Sequence, residues 1–384
     1  MSRENGISGA RFRGATGGAE HFIVVEAPAE PDLGGQIAIL EKRYAEARAF
    51  LGLGPETAVF RRLFLSDAMN QAAELCASDL VAERAGDPVA VSIVQQPPLS
   101  GAKIALLAYH VEGPLTKRRL SPHHVVIETA GSRHLWSTRL CAGAADRPGS
   151  ARRQTEALFD DLIATLSAAG GTLRDHGVRT WIYVKDIDAF YHEMVAARRA
   201  LFTRQGMTAE THYLASTCIE GACAHRFDLV AMDAYSVLGL TPEQVSYLND
   251  FDRLCPTHDY GVTFERGTRI AYADRAHHFV SGTASIDRTG HVVHRGDVLA
   301  QLERALGNVD ALLRSGSARL ADLTHLVVYL RDPTDFHRID EALRSRFPAL
   351  PVLIVQAAVC RPEWIVEVEG IAIAANDAPA LPAF

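Results

Sequence analysis

Two acidic side chains stand out as groups able to do chemistry. Glu367 and Glu369 lie two residues apart in Trp364-Ile-Val-Glu-Val-Glu-Gly-Ile-Ala372, a run that is otherwise apolar. Strand side chains alternate, so the two carboxylates share one face. A buried carboxylate is costly without a purpose or a partner. Burial beside Trp364 or Val366 would raise the pKa of Glu367 and keep it protonated near neutrality, as a general acid requires. The plainer reading makes Glu367 a rim carboxylate paired with an arginine. Glu369 serves either as support behind Glu367 or as a structural salt bridge.

The other reactive residue types lack a pattern of their own. His123-His124 and His277-His278 are adjacent pairs, which point to opposite strand faces. Cys218 and Cys223, with His225 nearby, lack the second cysteine pair of a zinc site. No metal site is expected. The six cysteines are scattered, which fits a reducing cytoplasm rather than a disulfide framework. Lysine occurs only at positions 42, 103, 117 and 185, so a lysine-linked cofactor is disfavoured. There is no phosphate-binding glycine loop, and no cofactor is expected.

The strand carrying the two glutamates closes a repeated unit. Its clearest copy runs Phe279–Ile286 (strand), Asp297–Leu313 (helix), Thr324–Asp332 (strand), Phe336–Phe347 (helix), Val352–Gln356 (strand) and Trp364–Ala372 (strand). A second copy begins at His123–Glu128 and continues through Ala151–Ala168, Arg179–Asp186, Ala189–Phe202 and Phe227–Tyr235. A fainter first copy spans His21–Glu26, Gln36–Leu51, Ala58–Asp67, Ala68–Val81, Val89–Gln95 and Lys103–Tyr109. Trp181-Ile-Tyr-Val-Lys-Asp186 matches Val327-Val-Tyr-Leu-Arg-Asp332 closely, and Phe190 and Phe336 each follow the aspartate by four residues.

Repeats in fixed order mean one supersecondary unit used several times. Each is an α+β layer with helices on one sheet face. The second, apolar face needs a partner, and three such sheets are expected to form an intramolecular pseudotrimer around a central barrel. The expected organisation is a mobile arm (1–20), a degenerate first repeat (21–115), a second repeat (120–237), an inserted connection (238–267), a third repeat (268–376) and a tail (377–384). The connection holds the capping-box start Thr241-Pro-Glu-Gln244 and the run Cys255-Pro-Thr-His-Asp-Tyr-Gly261.

At 384 residues and 48% hydrophobic, the chain can bury large cores. A net charge of -7 offers no footprint for nucleic acid. No apolar run is long enough to span a bilayer, and the N-terminus lacks a signal-peptide core. A cytoplasmic monomer, without membrane or nucleic-acid partners, is expected.

The unit resembles the YjgF/RidA (Rid) family of small trimeric proteins. The resemblance rests on Val280-Ser-Gly-Thr-Ala284, Asn308-Val309, Val328-Tyr-Leu-Arg-Asp332 with Phe336, Phe347-Pro348 and Val366-Glu-Val-Glu-Gly-Ile-Ala372. It implies enamine or imine hydrolysis in clefts between units. The arginine that Rid deaminases carry after Phe-Pro is replaced near Val352. Arg226 is a weak substitute in the second cleft.

A longer tandem branch, the chorismatases, is more similar. That likeness rests on Arg179-Thr-Trp, Tyr260-Gly261 with Phe264 and Arg266, Ser281-Gly-Thr-Ala284 followed by His291, His294-Arg-Gly-Asp297, and Cys360 seven residues before Glu367. It implies a Rid-like pseudotrimer that removes pyruvate from chorismate. Glu367 falls on the family's catalytic acid. Gly282 and Cys360 fall where the 3-hydroxybenzoate-forming subtype has Gly and Cys, and Cys360 would then serve as acid/base or transient nucleophile. Arg179, Arg198 and Arg266, with Arg199 close behind, become candidates for the substrate carboxylates, since guanidinium forks match them. Tyr260, Gly261, Gly282, Thr283 and Glu369 complete the expected substrate-binding set. Three departures stand out: Trp-Asn-Tyr reads Trp181-Ile-Tyr183, Cys-x-Gly-Arg reads Val195-Ala-Ala-Arg198, and the prolines after Gly261 are missing.

Three functions follow in order: cleavage of chorismate to 3-hydroxybenzoate and pyruvate; a Rid-type imine or enamine hydrolase or lyase; and a non-catalytic small-ligand-binding pseudotrimer. The first two repeats lack the acid pair, having Leu106 and Ala108, then Ala231 and Asp233, in its place.

Overall fold

The computed structural model describes residues 6–15, 18–30, 32–84, 86–222 and 225–384. Cys223, weighed above for zinc, lies outside them, as do residues 1–5 and 16–17 of the expected arm. Among the described residues no group of histidine, cysteine and acidic side chains could hold a metal ion. No helix there is long and apolar enough to cross a membrane.

The first unit comprises β1 (Ile7–Arg13), β2 (Ala19–Glu26), α1 (Leu33–Leu51), β3 (Ala58–Leu65), α2 (Ala68–Cys76), β4 (Ala90–Gln95) and β5 (Ile104–Val111). The second holds β6 (Thr116–Arg119), β7 (His124–Glu128), β8 (Arg133–Cys141), α3 (Ala151–Ala168), α4 (Leu173–His176), β9 (Gly177–Val184), α5 (Ile187–Arg204), β10 (Ala215–Glu220) and β11 (Val230–Leu238). The third has β12 (Val245–Tyr247), β13 (Gly267–Ala271), β14 (Arg275–Ala284), α6 (Val298–Ser315), β15 (Leu323–Leu330), α7 (Phe336–Arg346), β16 (Val352–Gln356) and β17 (Val366–Ala375).

The sheets run β1-β2-β5-β3-β4, β10-β9-β11-β8-β7-β6 and β12-β13-β14-β17-β15-β16. Each therefore contains the same four-stranded order, β2-β5-β3-β4, β8-β11-β9-β10 and β14-β17-β15-β16, ending in a parallel pair. The strand equivalent to β2 and β14 is β8, not the run beginning at His123. The apolar Val125-Val126-Ile127 dominates the sequence signal, whereas β8 is a polar–apolar mixture. Residues 7–13, read as part of a mobile arm, instead pair antiparallel with β2 and satisfy its outer edge. Helix starts follow local chemistry: Asp32, Ser150 and Asp297 accept hydrogen bonds from the first-turn amides of α1, α3 and α6.

The sheet faces turned away from the helices meet in one core drawn from all three units. Phe60 stacks on Trp136 at 4.7 Å, Trp136 meets Tyr235 at 4.6 Å, and Tyr235 meets Phe279 at 5.2 Å. Among the described residues the three sheets do not join into one closed hydrogen-bonded barrel. The sheets remain separate and touch through isolated bridges such as Gln95↔Ala222, Pro98↔Val355, Ala215↔Glu265 and Ile219↔Val359. Pro97 and Pro98 have no amide hydrogen to extend a ladder, which explains the break beside β4.

Arg62, Arg179, Asp233 and Glu369 are among the charged groups buried in this core. Arg62 contacts Asp233 at 3.0 Å, and Arg179 contacts Glu369 at 2.7 Å. Trp181 Nε1 and the Tyr329 hydroxyl donate to Glu369 at 3.0 and 2.9 Å, and Thr217 donates as well. Both guanidinium groups lie over the Trp181 ring, at 4.6 and 5.0 Å. Buried charge is tolerated when paired and hydrogen-bonded in this way.

Candidate active site between the second and third units

A cleft opens where β10 and α5 of the second unit face β14 and β17 of the third. It holds about 600 Å³ of empty space and is lined by Glu367, Cys360, Arg198, Arg266, Tyr260 and Gly282 from the expected set. Residues 257–264 of the inserted connection contribute part of its wall, including Val262 and Phe264.

Glu367 sits on β17 opposite Ala284 of β14 and Tyr329 of β15. It is 5% exposed, and no side chain among the described residues forms a hydrogen bond or ion pair with it. Burial pushes its carboxyl up to about 8, Glu369 adds to the rise, and Arg179 opposes it. Glu367 is thus a protonated acid at neutral pH. Its place depends on Gly282. The ladder between β14 and β17 is irregular between Val280 and Thr283, and the Gly282 amide donates 2.9 Å to Thr217 of the second unit. A Cβ at Gly282 would lie 2.3 Å from Glu367 Oε1.

Arg198 is buried on α5, where its Nε donates to Thr263 at 3.1 Å and its Nη1 to Ser216 at 3.4 Å. Arg266 donates to the Cys255 carbonyl from Nε and Nη2, at 3.1 and 2.8 Å. Among the described residues neither guanidinium is in an ion pair. Two buried cations that form no ion pair among the described residues and face one cleft are an arrangement chemically suited to an anion. Sequence reasoning missed a third. Arg361 lines the same cleft, 5.1 Å from the Tyr260 ring and 4.9 Å from the Trp364 ring. Its adjacency to Cys360 was the available signal.

Burial pushes the Cys360 thiol up to about 12, with Glu367 adding and a Tyr191 hydrogen bond opposing. Cys360 is therefore held as a thiol and is not a standing nucleophile near neutral pH. Burial likewise raises Tyr260 to about 12, keeping its hydroxyl a donor. Tyr191 and Cys218 complete one wall and were not expected there. Cys218 sits on β10, a six-residue strand too short and mixed to read from sequence.

Four expected binding residues lie elsewhere. Arg179 and Glu369 pair with each other in the core, behind Glu367. Glu367 and Glu369 do share a strand face, but at different depths. Thr283 is buried with its hydroxyl on the Ser281 carbonyl at 2.8 Å. Gly261 closes a turn at φ 83°, and its carbonyl accepts from Arg199 outside the cleft. Arg226 is exposed.

The sequence model of the family described as "Endoribonuclease L-PSP" matches residues 270–374, which is the third unit. The 3-aminoacrylate deaminase RutC of Acinetobacter baylyi is 30% identical over 96 residues, 24% of this chain and 76% of that protein. A RutC family protein of Pyrococcus abyssi is 34% identical over 97 residues, with the same shares of 24% and 76%. The chain belongs to this Rid (YjgF, L-PSP) family, as a tandem form with three Rid-like units. Over nearly its whole length its fold is similar to a crystal structure of chorismatase: TM-score 0.64, 20% identity, 95% of this chain and 99% of that one.

Proposed function

We propose that this chain is a chorismatase-like enzyme that removes pyruvate from chorismate to give 3-hydroxybenzoate, with Glu367 as general acid. The observation carrying this reading is a neutral carboxylic acid held in the same cleft as three guanidinium groups. A dicarboxylate with an acid-labile enol ether fits that combination. Arg198 and Arg266 receive the carboxylates, and Val262, Phe264, Ala284 and Ile286 cover the apolar ring face. Glu367 delivers its proton to the enolpyruvyl methylene. The resulting oxocarbenium-like centre weakens the ether bond: the ring's C4 hydroxyl oxygen bonds to C3 as the C3–O bond to pyruvate breaks, and its proton returns to the Glu367 carboxylate. The epoxide so formed takes up that proton as its bond to C4 opens, and loss of the C3 hydrogen as a proton aromatises the ring to 3-hydroxybenzoate, with the Glu367 carboxylate as the acceptor. Overall no water is consumed. The test is incubation with chorismate, reading pyruvate through lactate dehydrogenase and the aromatic product by chromatography. No pyruvate above a Glu367→Gln control would end the reading.

Two further outcomes are expected. Arg198→Gln or Arg266→Gln should raise KM for chorismate strongly, because each removes a charge-assisted contact worth about 1.5–3 kcal/mol, roughly 10–10²-fold. An unchanged KM would move the carboxylates elsewhere. Gly282→Ala should lower kcat about 10²-fold, the typical cost of a 1 Å misplacement. Its added methyl must displace Glu367. A structure of that variant with Glu367 unmoved would contradict this.

A second reading, hydrolysis of an imine or enamine, is favoured by the likeness of the third unit to a 3-aminoacrylate deaminase. In that case Arg198 or Arg266 replaces the arginine missing near Val352. Ammonia release from imino acids, without pyruvate from chorismate, would select it.

A further inference from the structure

Cys218 and Cys360 come from different units and line the same cleft wall. Ile219 and Val359 form an isolated antiparallel bridge, so one step back along β10 faces one step forward along the other segment. Continuing that register by one residue brings Cys218 against Cys360, the first residue of the bend that follows the bridge. The register is supported by the Glu220 amide, which donates to the Ala358 carbonyl at 3.0 Å, the matching step in the other direction. Directly opposed residues of an antiparallel pair point to the same face, with Cα atoms about 4.5–5.5 Å apart and Cβ atoms about 4.5–5.5 Å apart. A disulfide needs Cα atoms about 4.4–6.8 Å apart and Cβ atoms about 3.5–4.5 Å apart, a small closure from that starting point. Both side chains are partly accessible and pack against one hydrophobic cluster. Cys255 does not line the cleft; it is buried beside Arg266, whose Nη2 donates to its sulfur at 3.7 Å.

We infer that Cys218 and Cys360 form a reversible inter-unit disulfide, a modification site that staples the second and third units across the cleft. Each thiol gives up a proton and an electron and one S–S bond forms. The two electrons and two protons pass to an azo or disulfide oxidant. The consequences are local. The second and third sheets, otherwise joined by noncovalent contacts such as the Arg179–Glu369 pair and the Gly282–Thr217 hydrogen bond, become covalently tied, and the thiol beside Glu367 is consumed. Both thiols resist ionisation because of burial, and thiolate is the reacting form. Formation and reduction are accordingly slow, and both speed up at alkaline pH.

The experiment treats the reduced full-length chain with diamide at mildly alkaline pH, alkylates the free thiols, and maps the peptides by mass spectrometry. The expected result is loss of two alkylatable thiols and a linked peptide joining Cys360 to Cys218, with both thiols restored by dithiothreitol. Fragment spectra, with a Cys223→Ser chain as control, separate Cys218 from Cys223, which share a tryptic peptide. Cys218→Ser should abolish the link. Cys360 left free in treated wild-type protein, or joined to Cys255 or Cys223, overturns the inference. The readout is a bond, so it stands or falls apart from any reaction assigned to the cleft.

Discussion

Replacing Glu367 by glutamine is expected to lower pyruvate release from chorismate about 10²–10⁴-fold, the usual contribution of a positioned general acid. The fold should survive, because no side chain among the described residues bonds to Glu367 and the acid is already neutral near pH 7. The wild-type rate should fall with rising pH above about 8, where the carboxyl loses its proton. The same shift has a stability signature. The folded carboxyl titrates near 8 and the unfolded one near 4.5, so between these values the folded chain binds more protons. Stability from this group therefore declines as pH rises through that window, and Glu367→Gln should remove the decline. Urea unfolding at pH 5 and pH 8 checks this. A variant that retains full turnover, or a rate flat to pH 9.5, would strip Glu367 of its role.

Glu369→Ala should be the most destabilising single change near the site, by about 3–5 kcal/mol, since it breaks a buried ion pair from one side. Arg179 would be left as a buried charge facing Arg62, and Trp181 Nε1 and the Tyr329 hydroxyl would lose their acceptor. The urea midpoint should drop with little change in slope. Replacing both partners, Arg179→Met with Glu369→Leu, should recover most of the loss, because apolar substitutes of similar volume carry no desolvation cost. A loss under about 1 kcal/mol for the single change would mean that solvent reaches the pair more freely than its burial implies. The contrast is instructive. Two glutamates on one strand face differ in their surroundings, because one meets a cleft and the other meets an arginine.

That contrast also separates what each level of description decided. The α+β repeat, its threefold use and the acidic strand were legible in the sequence, because hydrophobic periodicity and the Tyr-x-x-Asp strand ends are local signals. Glu367, Arg198, Arg266, Tyr260, Gly282 and Cys360 could be nominated from residue type and family likeness. Their convergence on one cleft could not, since they come from separate elements of two units whose docking no local pattern encodes. Arg179 and Arg198 looked alike as isolated arginines. Only the packing showed that the first pairs with Glu369 while the second forms no ion pair among the described residues and faces the cleft. The short strand carrying Thr217 and Cys218 stayed invisible for the same reason: its six residues gain their strand character from pairing with β9, a long-range contact rather than a property of the residues themselves.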